Sequence, residues 1–258
     1  MDTIDTHCHL NDASFEASLP EVIERAKAAG VSRCIVPAYD EASLERTANL
    51  AGLYPDILFP AYGLHPWFIP DSFDPESIRP FLVNKNSVAV GEIGLDFFSA
   101  DYPTADEQVR VLAGQLDMAV EFNLPVLLHC RKAYDQLYAI LKRYRGRLQG
   151  VLHSYSGGPD GMPRFLDLGF YISFSGSVTR HNARKHHRTA AAVPLEQLLL
   201  ETDAPSIATE STVASAVEPR HVVEVAEKIA DIRSISLREV CRRTTENALR
   251  LFNRLPHT

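Results

Sequence analysis

Six side chains in this sequence have the types and positions that metal chemistry needs: His7, His9, Glu92, His129, His153 and Asp203. Glu92 stands in Val88-Ala89-Val90-Gly91-Glu92-Ile93-Gly94, a carboxylate at the end of an apolar run between two glycines. A Glu there is poor core material, because burying an unpaired carboxylate is costly, and it calls for a cation. His7-x-His9 puts two imidazoles on one side of an extended chain. They lie about 7 Å apart along a strand, close enough to chelate one ion if the chain bends. Asp5 shares that facing and is placed to orient a ligand imidazole from behind. Leu127-Leu128-His129 and Val151-Leu152-His153 each tip an apolar run with a polar ring. Taken singly, each ring reads as a hydrogen-bonded core histidine. Four histidines and two carboxylates at the ends of apolar runs do not read that way.

These ligands exceed the roughly four that one zinc-like ion takes. They suit two ions sharing a carboxylate. The first ion is expected to take His7, His9, Glu92 and Asp203, and the second Glu92, His129 and His153. Mixed imidazole and carboxylate donors favour Zn, Mn, Fe, Co or Ni over Ca, with Mg a looser fit. Two such ions about 3.5–4 Å apart share a water and lower its pKa towards roughly 7, which makes a hydroxide nucleophile at neutral pH. Asp203 is placed to accept its proton or aim it, so Asp203 and Glu92 are the expected catalytic carboxylates.

The elements that must bring these residues together follow from the alternation of apolar runs and helical stretches. Strands are expected at Thr3–Thr6, Arg33–Val36, Ile57–Tyr62, Val88–Gly91, Pro125–Leu128, Gly150–Leu152, Phe170–Ser173 and Gln197–Glu201. Between them lie helical patterns, the longest at Thr104–Phe122, with Val109, Leu112, Leu116 and Val120 at helical spacing. Two closing helices are expected at Ser236–Arg243 and Glu246–Phe252. Eight strand–helix units in this order predict a parallel (β/α)8 TIM barrel, with a doubly wound open sheet as the alternative. In a barrel every expected ligand falls at a strand's carboxyl end, on the face that carries active sites. No linker or repeat divides the chain, so residues 1–258 are read as one domain. The irregular stretch Ala204–Glu218 is the expected lid or substrate-facing loop.

Composition sets outer bounds. With 258 residues the chain has the length of an α/β barrel, and its net charge of -7 argues against a protein that coats long duplexes. It does not argue against an enzyme acting on a short strand or an end. No apolar run reaches the roughly 18 residues of a membrane span, and Met1–Leu10 lacks the features of a signal peptide. A cytoplasmic protein with no membrane contact and no obligate protein partner is expected. The four cysteines, Cys8, Cys34, Cys130 and Cys241, form no C-x-x-C pair and are expected to be reduced thiols.

The motifs match a known family. Asp5-Thr6-His7-Cys8-His9, Gly63-Leu64-His65-Pro66, Gly91-Glu92-Ile93-Gly94-Leu95-Asp96, the His129 segment, His153-Ser154-Tyr155-Ser156-Gly157 and Glu201-Thr202-Asp203-Ala204-Pro205 occur in order along nearly the whole chain. Together they resemble the TatD family of metal-dependent deoxyribonucleases, with the YjjV-like branch most similar. The resemblance implies a TIM-barrel metallohydrolase with two divalent ions on the ligand set above. It also implies phosphodiester hydrolysis on DNA, including removal of nucleotides from a 3′ end. Two loops depart from the family pattern. Ser215-Ala216-Val217-Glu218-Pro219 lacks the Asn of a frequent N-E-P ending, and Ser99-Ala100-Asp101 stands where many members carry Tyr and Arg.

Around the site, His65 is expected to hydrogen-bond a substrate phosphate, with a loop-stabilising role or metal ligation as the alternatives. Arg131, two residues past His129, is expected to clamp a phosphate oxygen, with a structural ion pair as the alternative. Trp67 and Phe68 either stack on a base or pack beneath their loop. The run Arg180–Arg188 reads as a solvated helix face, with a local phosphate-attracting patch as the alternative, and its histidines are not assigned to the site. The expected activity is hydrolysis of single-stranded DNA or DNA 3′ ends, with DNA or an oligonucleotide as the binding partner. An amide, lactone or phosphotriester hydrolase on the same barrel is the competing reading, since an activated water attacks carbon and phosphorus alike. Glu92 stands where many such barrels carry a modified Lys, which favours the first. A non-catalytic metal-binding protein is the third reading.

Overall fold

The structure is a computed structural model in which residues 2–70, 73–83 and 86–256 are described. Both ends of the 1–258 domain span lie outside the described residues. Eight parallel strands run in sequence order: β1 (Thr3–Asp5), β2 (Val31–Pro37), β3 (Leu58–Tyr62), β4 (Ala89–Asp96), β5 (Val126–Arg131), β6 (Gly150–Leu152), β7 (Phe170–Phe174) and β8 (Leu198–Leu200). Main-chain bonds from Thr6 N to Leu200 O (3.0 Å) and from Asp203 N to His7 O (2.9 Å) join the last strand back to the first. The result is a nearly closed (β/α)8 TIM barrel.

Helices fill the connections: α1 (Leu19–Ala28), α2 (Glu41–Leu53), α3 (Arg79–Val83), α4 (Ala105–Glu121), α5 (Tyr134–Leu141), α6 (Pro163–Leu166), α7 (Arg184–Ala192), α8 (Val222–Arg233) and α9 (Leu237–Leu251). α2 and α4 both start in reciprocal capping boxes, Asp40 with Ser43 and Thr104 with Glu107. Such caps satisfy the orphan amides of a first turn. The two closing helices expected from sequence are one continuous helix, α9. No Gly or Pro interrupts it, and the Thr244 hydroxyl bonds back to the Val240 carbonyl (2.9 Å), so the polar pair Thr244-Thr245 does not break the ladder. The helix expected over Pro159–Leu168 shrinks to the single turn of α6, because Gly157, Gly158 and Gly161 leave the preceding chain as turns.

Apolar residues divide between two layers. One inner cluster holds Ile4, Ile35, Ala61, Leu127, Val151 and Leu199 from the strands, and Leu251 at the end of α9 closes it together with the following Phe252. The larger cluster packs the strands' outer faces against the helices. Side chains on a strand alternate, so the inward positions continue upward in steps of two. Leu127 is followed by His129 and Arg131, Val151 by His153, and Leu199 by Glu201 and Asp203. An apolar barrel core thus turns into a polar rim along the same inward rows.

β4 and β5 are longer than their apolar runs suggested, extending through Asp96 and Arg131. Their pairing slips between Val90 and Ile93, so Val90 opposes Val126 and Ile93 opposes Leu128. Such a bulge re-aims a side chain at a functional rim, and here Glu92 is the residue re-aimed. Gly94 (φ +153°) pairs with His129 so closely that a Cβ would lie 1.9 Å from the His129 carbonyl oxygen. Gly94→Ala is therefore expected to destabilise the fold by about 3 kcal/mol or more, from backbone strain plus overpacking. Thermal unfolding measures this, and a change below about 1 kcal/mol would contradict it.

Candidate metal centre

His7 and His9 follow β1 across the top of the barrel. His9 N bonds to Ala204 O (2.7 Å) and Asp203 N to His7 O (2.9 Å), so the segments after β1 and β8 are clamped together. Asp203 holds a left-handed conformation (φ 54°), which Asp tolerates better than most residues, and which turns its carboxylate back over the rim. Asp5 contributes differently from the sequence expectation. It accepts from the Thr202 hydroxyl (2.6 Å), Thr202 N (3.0 Å) and His7 N (3.2 Å), not from a ligand ring. It fixes the backbone that presents His7 and Asp203.

The six expected ligands meet at one point, and Glu92 is at its middle. Only 3 % of Glu92 is exposed. Its Oε2 lies 3.2 Å from His7 Nε2 and 3.4 Å from His9 Nε2. Its Oε1 lies 2.9 Å from His153 Nε2 and 3.2 Å from His129 Nδ1. Asp203 Oδ1 sits 3.8 Å from His7 Nε2 and 3.5 Å from His9 Nε2, and those two nitrogens are 3.2 Å apart. His129 Nδ1 and His153 Nε2 are 3.3 Å apart. His153 also stacks on His7 (4.0 Å between ring centroids) and groups with His7 and Asp203, so it lies at the seam of the two groups.

These separations fit bound cations. Ligand atoms around a tetrahedral ion with bonds of about 2.0–2.1 Å lie about 3.3–3.4 Å from one another. The His7 and His9 Nε2 atoms lie 3.2 to 3.8 Å from each other and from the nearest oxygens of Glu92 and Asp203. Direct hydrogen bonds would pair off, whereas here several ring nitrogens converge on each oxygen of Glu92.

Electrostatics agrees. Burial opposes charging of His9, His129 and His153, yet all three rings are held above the ordinary imidazole range. Asp203 and Glu92 hold His9 at about 10, Asp96 and Glu92 raise His129, and Glu92 and Glu201 raise His153. Burial likewise opposes ionisation of Glu92 and Asp203, but the surrounding histidines keep both carboxyls below their usual range. The centre draws positive charge, and without an ion protons supply it. Metal must therefore displace ring protons, above all from His9. We expect metal uptake to release protons and apparent affinity to rise as pH goes from 6 to 8. Calorimetry in buffers of different ionisation enthalpy reads the proton count, and uptake without proton release would contradict this.

His65 enters the cavity from the loop after β3 and is 4 % exposed. Trp67 N donates to its Nδ1 (3.1 Å), so the neutral ring carries its proton on Nε2, which faces Glu92 Oε1 at 3.4 Å. Burial lowers its pKa to about 4, which keeps the ring neutral. His65, Glu92 and His129 also group closely enough for an ion. The Nε2 proton directs His65 towards a hydrogen-bond acceptor instead, here Glu92 Oε1.

Above the centre opens a cavity of about 780 Å³. Tyr39, Trp67 and Phe68 form an aromatic wall, and Arg131, Ser154, Ser156 and Ser177 a polar one. The Arg131 guanidinium lies over the exposed Phe98 ring, 3.5 Å from its centroid. Among the described residues no carboxylate pairs with it, so its in-plane N–H groups remain for an anion. The loop after β8 contributes Pro205, Ser206 and Ile207 to the wall. Its far end is fastened, because Glu218 is buried and accepts from Arg25 (2.7 Å).

Sequence reasoning passed over three residues here. His186, from the basic run, lines the cavity. Asp96 Oδ2 lies 2.9 Å from His129 Nε2, and Glu201 Oε1 3.3 Å from His153 Nδ1. The last two had a signal: each stands an even number of residues from an expected ligand in the same stretch of chain, Asp96 four past Glu92 and Glu201 two before Asp203. All four cysteines are buried and free, and none joins a metal-ligand grouping among the described residues. Among the described residues no helix is long and apolar enough to cross a membrane.

Comparison with known proteins agrees with this geometry. The family model described as TatD related DNase matches residues 4–253. A Bacillus subtilis protein named uncharacterized metal-dependent hydrolase YabD is 35% identical over 251 residues, covering 96% of this chain and 98% of that one. Human deoxyribonuclease TATDN3 is 32% identical over 270 residues, covering 98% and 96%. The crystal structure of YjjV, a TatD homologue from Escherichia coli, superposes with a TM-score of 0.92 at 35% identity, covering 98% of both chains. With its barrel, its buried His–Glu–Asp cluster and this similarity along almost its whole length, the chain belongs to the TatD-related DNase family of metal-dependent hydrolases.

Proposed function

We propose that this hydrolase is a dinuclear deoxyribonuclease acting on single-stranded DNA or DNA 3′ ends. One observation carries the two-ion reading: the carboxylate oxygens of Glu92 part company. Oε2 faces His7 and His9, while Oε1 faces His129 and His153. A carboxylate so divided suits a bridge between an ion held by His7, His9 and Asp203 and one held by His129 and His153. Zn, Mn, Co, Ni or Mg would suit the donors. When bound, the ions supply an activated water and neutralise charge on a phosphoryl oxygen.

The chain's own residues do the rest. Asp203, 8 % exposed at the cavity floor, accepts the proton of the attacking water and can pass it on. Arg131, braced on Phe98, grips a phosphate oxygen. Tyr39, Trp67 and Phe68 offer π-faces for unpaired bases, a mode that tolerates any sequence and favours single strands. Relatives named deoxyribonuclease support the same substrate class.

The test is paired. Metal-loaded protein is given a 3′-labelled single-stranded oligonucleotide and, separately, ester, lactone and phosphotriester substrates. Oligonucleotide cleavage supports the reading; inert DNA with turnover of the small substrates replaces it with the competing one. Arg131→Ala is expected to raise KM for the oligonucleotide by about 10-fold or more, since a charge-assisted hydrogen bond contributes about 1.5–3 kcal/mol. Steady-state kinetics checks this, and an unchanged KM would remove Arg131 from the substrate site.

A further inference from the structure

We propose that Asp96 and Glu201 are positioning residues for the His129 and His153 side of the centre, so that losing either weakens the ion on that side far more than the other. This rests on the two-ion reading above. Asp96 is fully buried; its Oδ2 lies 2.9 Å from His129 Nε2 and accepts from Trp67 Nε1 (2.8 Å), and its Oδ1 accepts from Phe98 N (2.9 Å). Gln108 clips the Asp96 backbone on both sides, at 2.8 and 2.9 Å. Glu201 is equally buried. Its Oε1 accepts from Ser154 N (2.7 Å) and lies 3.3 Å from His153 Nδ1, and its Oε2 accepts from the Ser173 hydroxyl.

Each carboxylate is thus immobilised by other donors before it meets its ring. Each then fixes a tautomer. A proton on His129 Nε2 leaves the Nδ1 lone pair facing the cluster; a proton on His153 Nδ1 does the same for Nε2. Such carboxylate–imidazole pairs fix ring orientation and strengthen a metal ligand. The other half lacks them: His7 Nδ1 and His9 Nδ1 are buried with no hydrogen-bond partner among the described residues. The asymmetry predicts that the two ions respond separately to loss of a carboxylate that touches neither.

The two variants differ in a way the hydrogen bonds dictate. In Asp96→Asn, donors face both oxygens, so the amide NH2 must confront an N–H whichever way it turns. Moving the His129 proton to Nδ1 relieves the contact with His129 but not the one with Trp67 Nε1, and it blocks the ligand lone pair. In Glu201→Gln the carbonyl keeps Ser154 N and His153, and the NH2 meets the Ser173 hydroxyl, which can accept. Only charge is lost.

The experiment titrates metal-stripped protein with Co2+, following heat, the Co2+ absorption bands and the fluorescence of Trp67, the single tryptophan. Wild type is expected to take two ions. Asp96→Asn should weaken one by about 100-fold and Glu201→Gln by about 10-fold, with the other ion within about 3-fold of wild type. His9→Ala should affect the opposite ion. Two ions at wild-type affinity in both variants, or equal weakening of both ions, would overturn the proposal. Fewer than two ions in wild type would overturn the two-ion reading itself. Thermal unfolding of the metal-free variants at the wild-type temperature separates positioning from misfolding.

Discussion

Glu92→Gln is expected to lower oligonucleotide hydrolysis by at least about 10³-fold and to reduce bound metal from two ions to one or none. The substitution preserves shape and removes one charge. That charge is what the site is built around: Glu92 is buried, ionised, and within 3.4 Å of five histidine nitrogens. An amide cannot bridge two cations, because its NH2 has no lone pair to offer the second. On the proposed two-ion reading, one half of the centre therefore loses its shared ligand. Single-turnover cleavage and metal content after dialysis measure the two effects together. Cleavage at the wild-type rate with both ions retained would remove Glu92 from the mechanism.

Asp203→Asn tests a different function of the same rim. Asn also tolerates the left-handed backbone that Asp203 adopts, so the fold and the main-chain bond to His7 should persist. What disappears is a carboxylate able to take a proton. We expect a loss of about 10²–10⁴-fold in kcat, the range of a general base. Excess metal separates the two ways the activity can fall. If Asp203 serves only to hold an ion, saturating metal restores turnover; if it handles the proton, it does not. We expect no restoration, and full recovery at high metal concentration would reduce Asp203 to a ligand.

The barrel was legible because its signal is repetitive. Eight apolar runs alternate with helical patterns, and that order admits few topologies. The buried cluster was legible because period-two spacing lifts His129 above Leu127 and His153 above Val151 on inward rows. Element ends were less so. β4 and β5 outrun their apolar stretches because polar residues at the rim still pair, Asp96 with Arg131 and Gly94 with His129. α9 ran through a Thr pair that looked like a break, since each hydroxyl found a carbonyl partner. His186 gave no signal, because a residue in a basic run shows its distance from a cavity only once the chain is folded.

By itself the sequence determined the kind of chemistry: four imidazoles and two carboxylates, each of a type that binds hard or borderline cations, each at or just past the upper end of a buried strand. Only the tertiary structure decided how they are shared out. Which Glu92 oxygen faces which histidines follows from the slipped pairing between Val90 and Ile93. Which rings gain a carboxylate behind them follows from contacts such as Glu201 to His153, across strands that the chain reaches 48 residues apart. Local spacing encodes the direction of a side chain relative to its own strand. The partner it meets depends on where barrel closure places the other strands, and no short stretch of chain carries that.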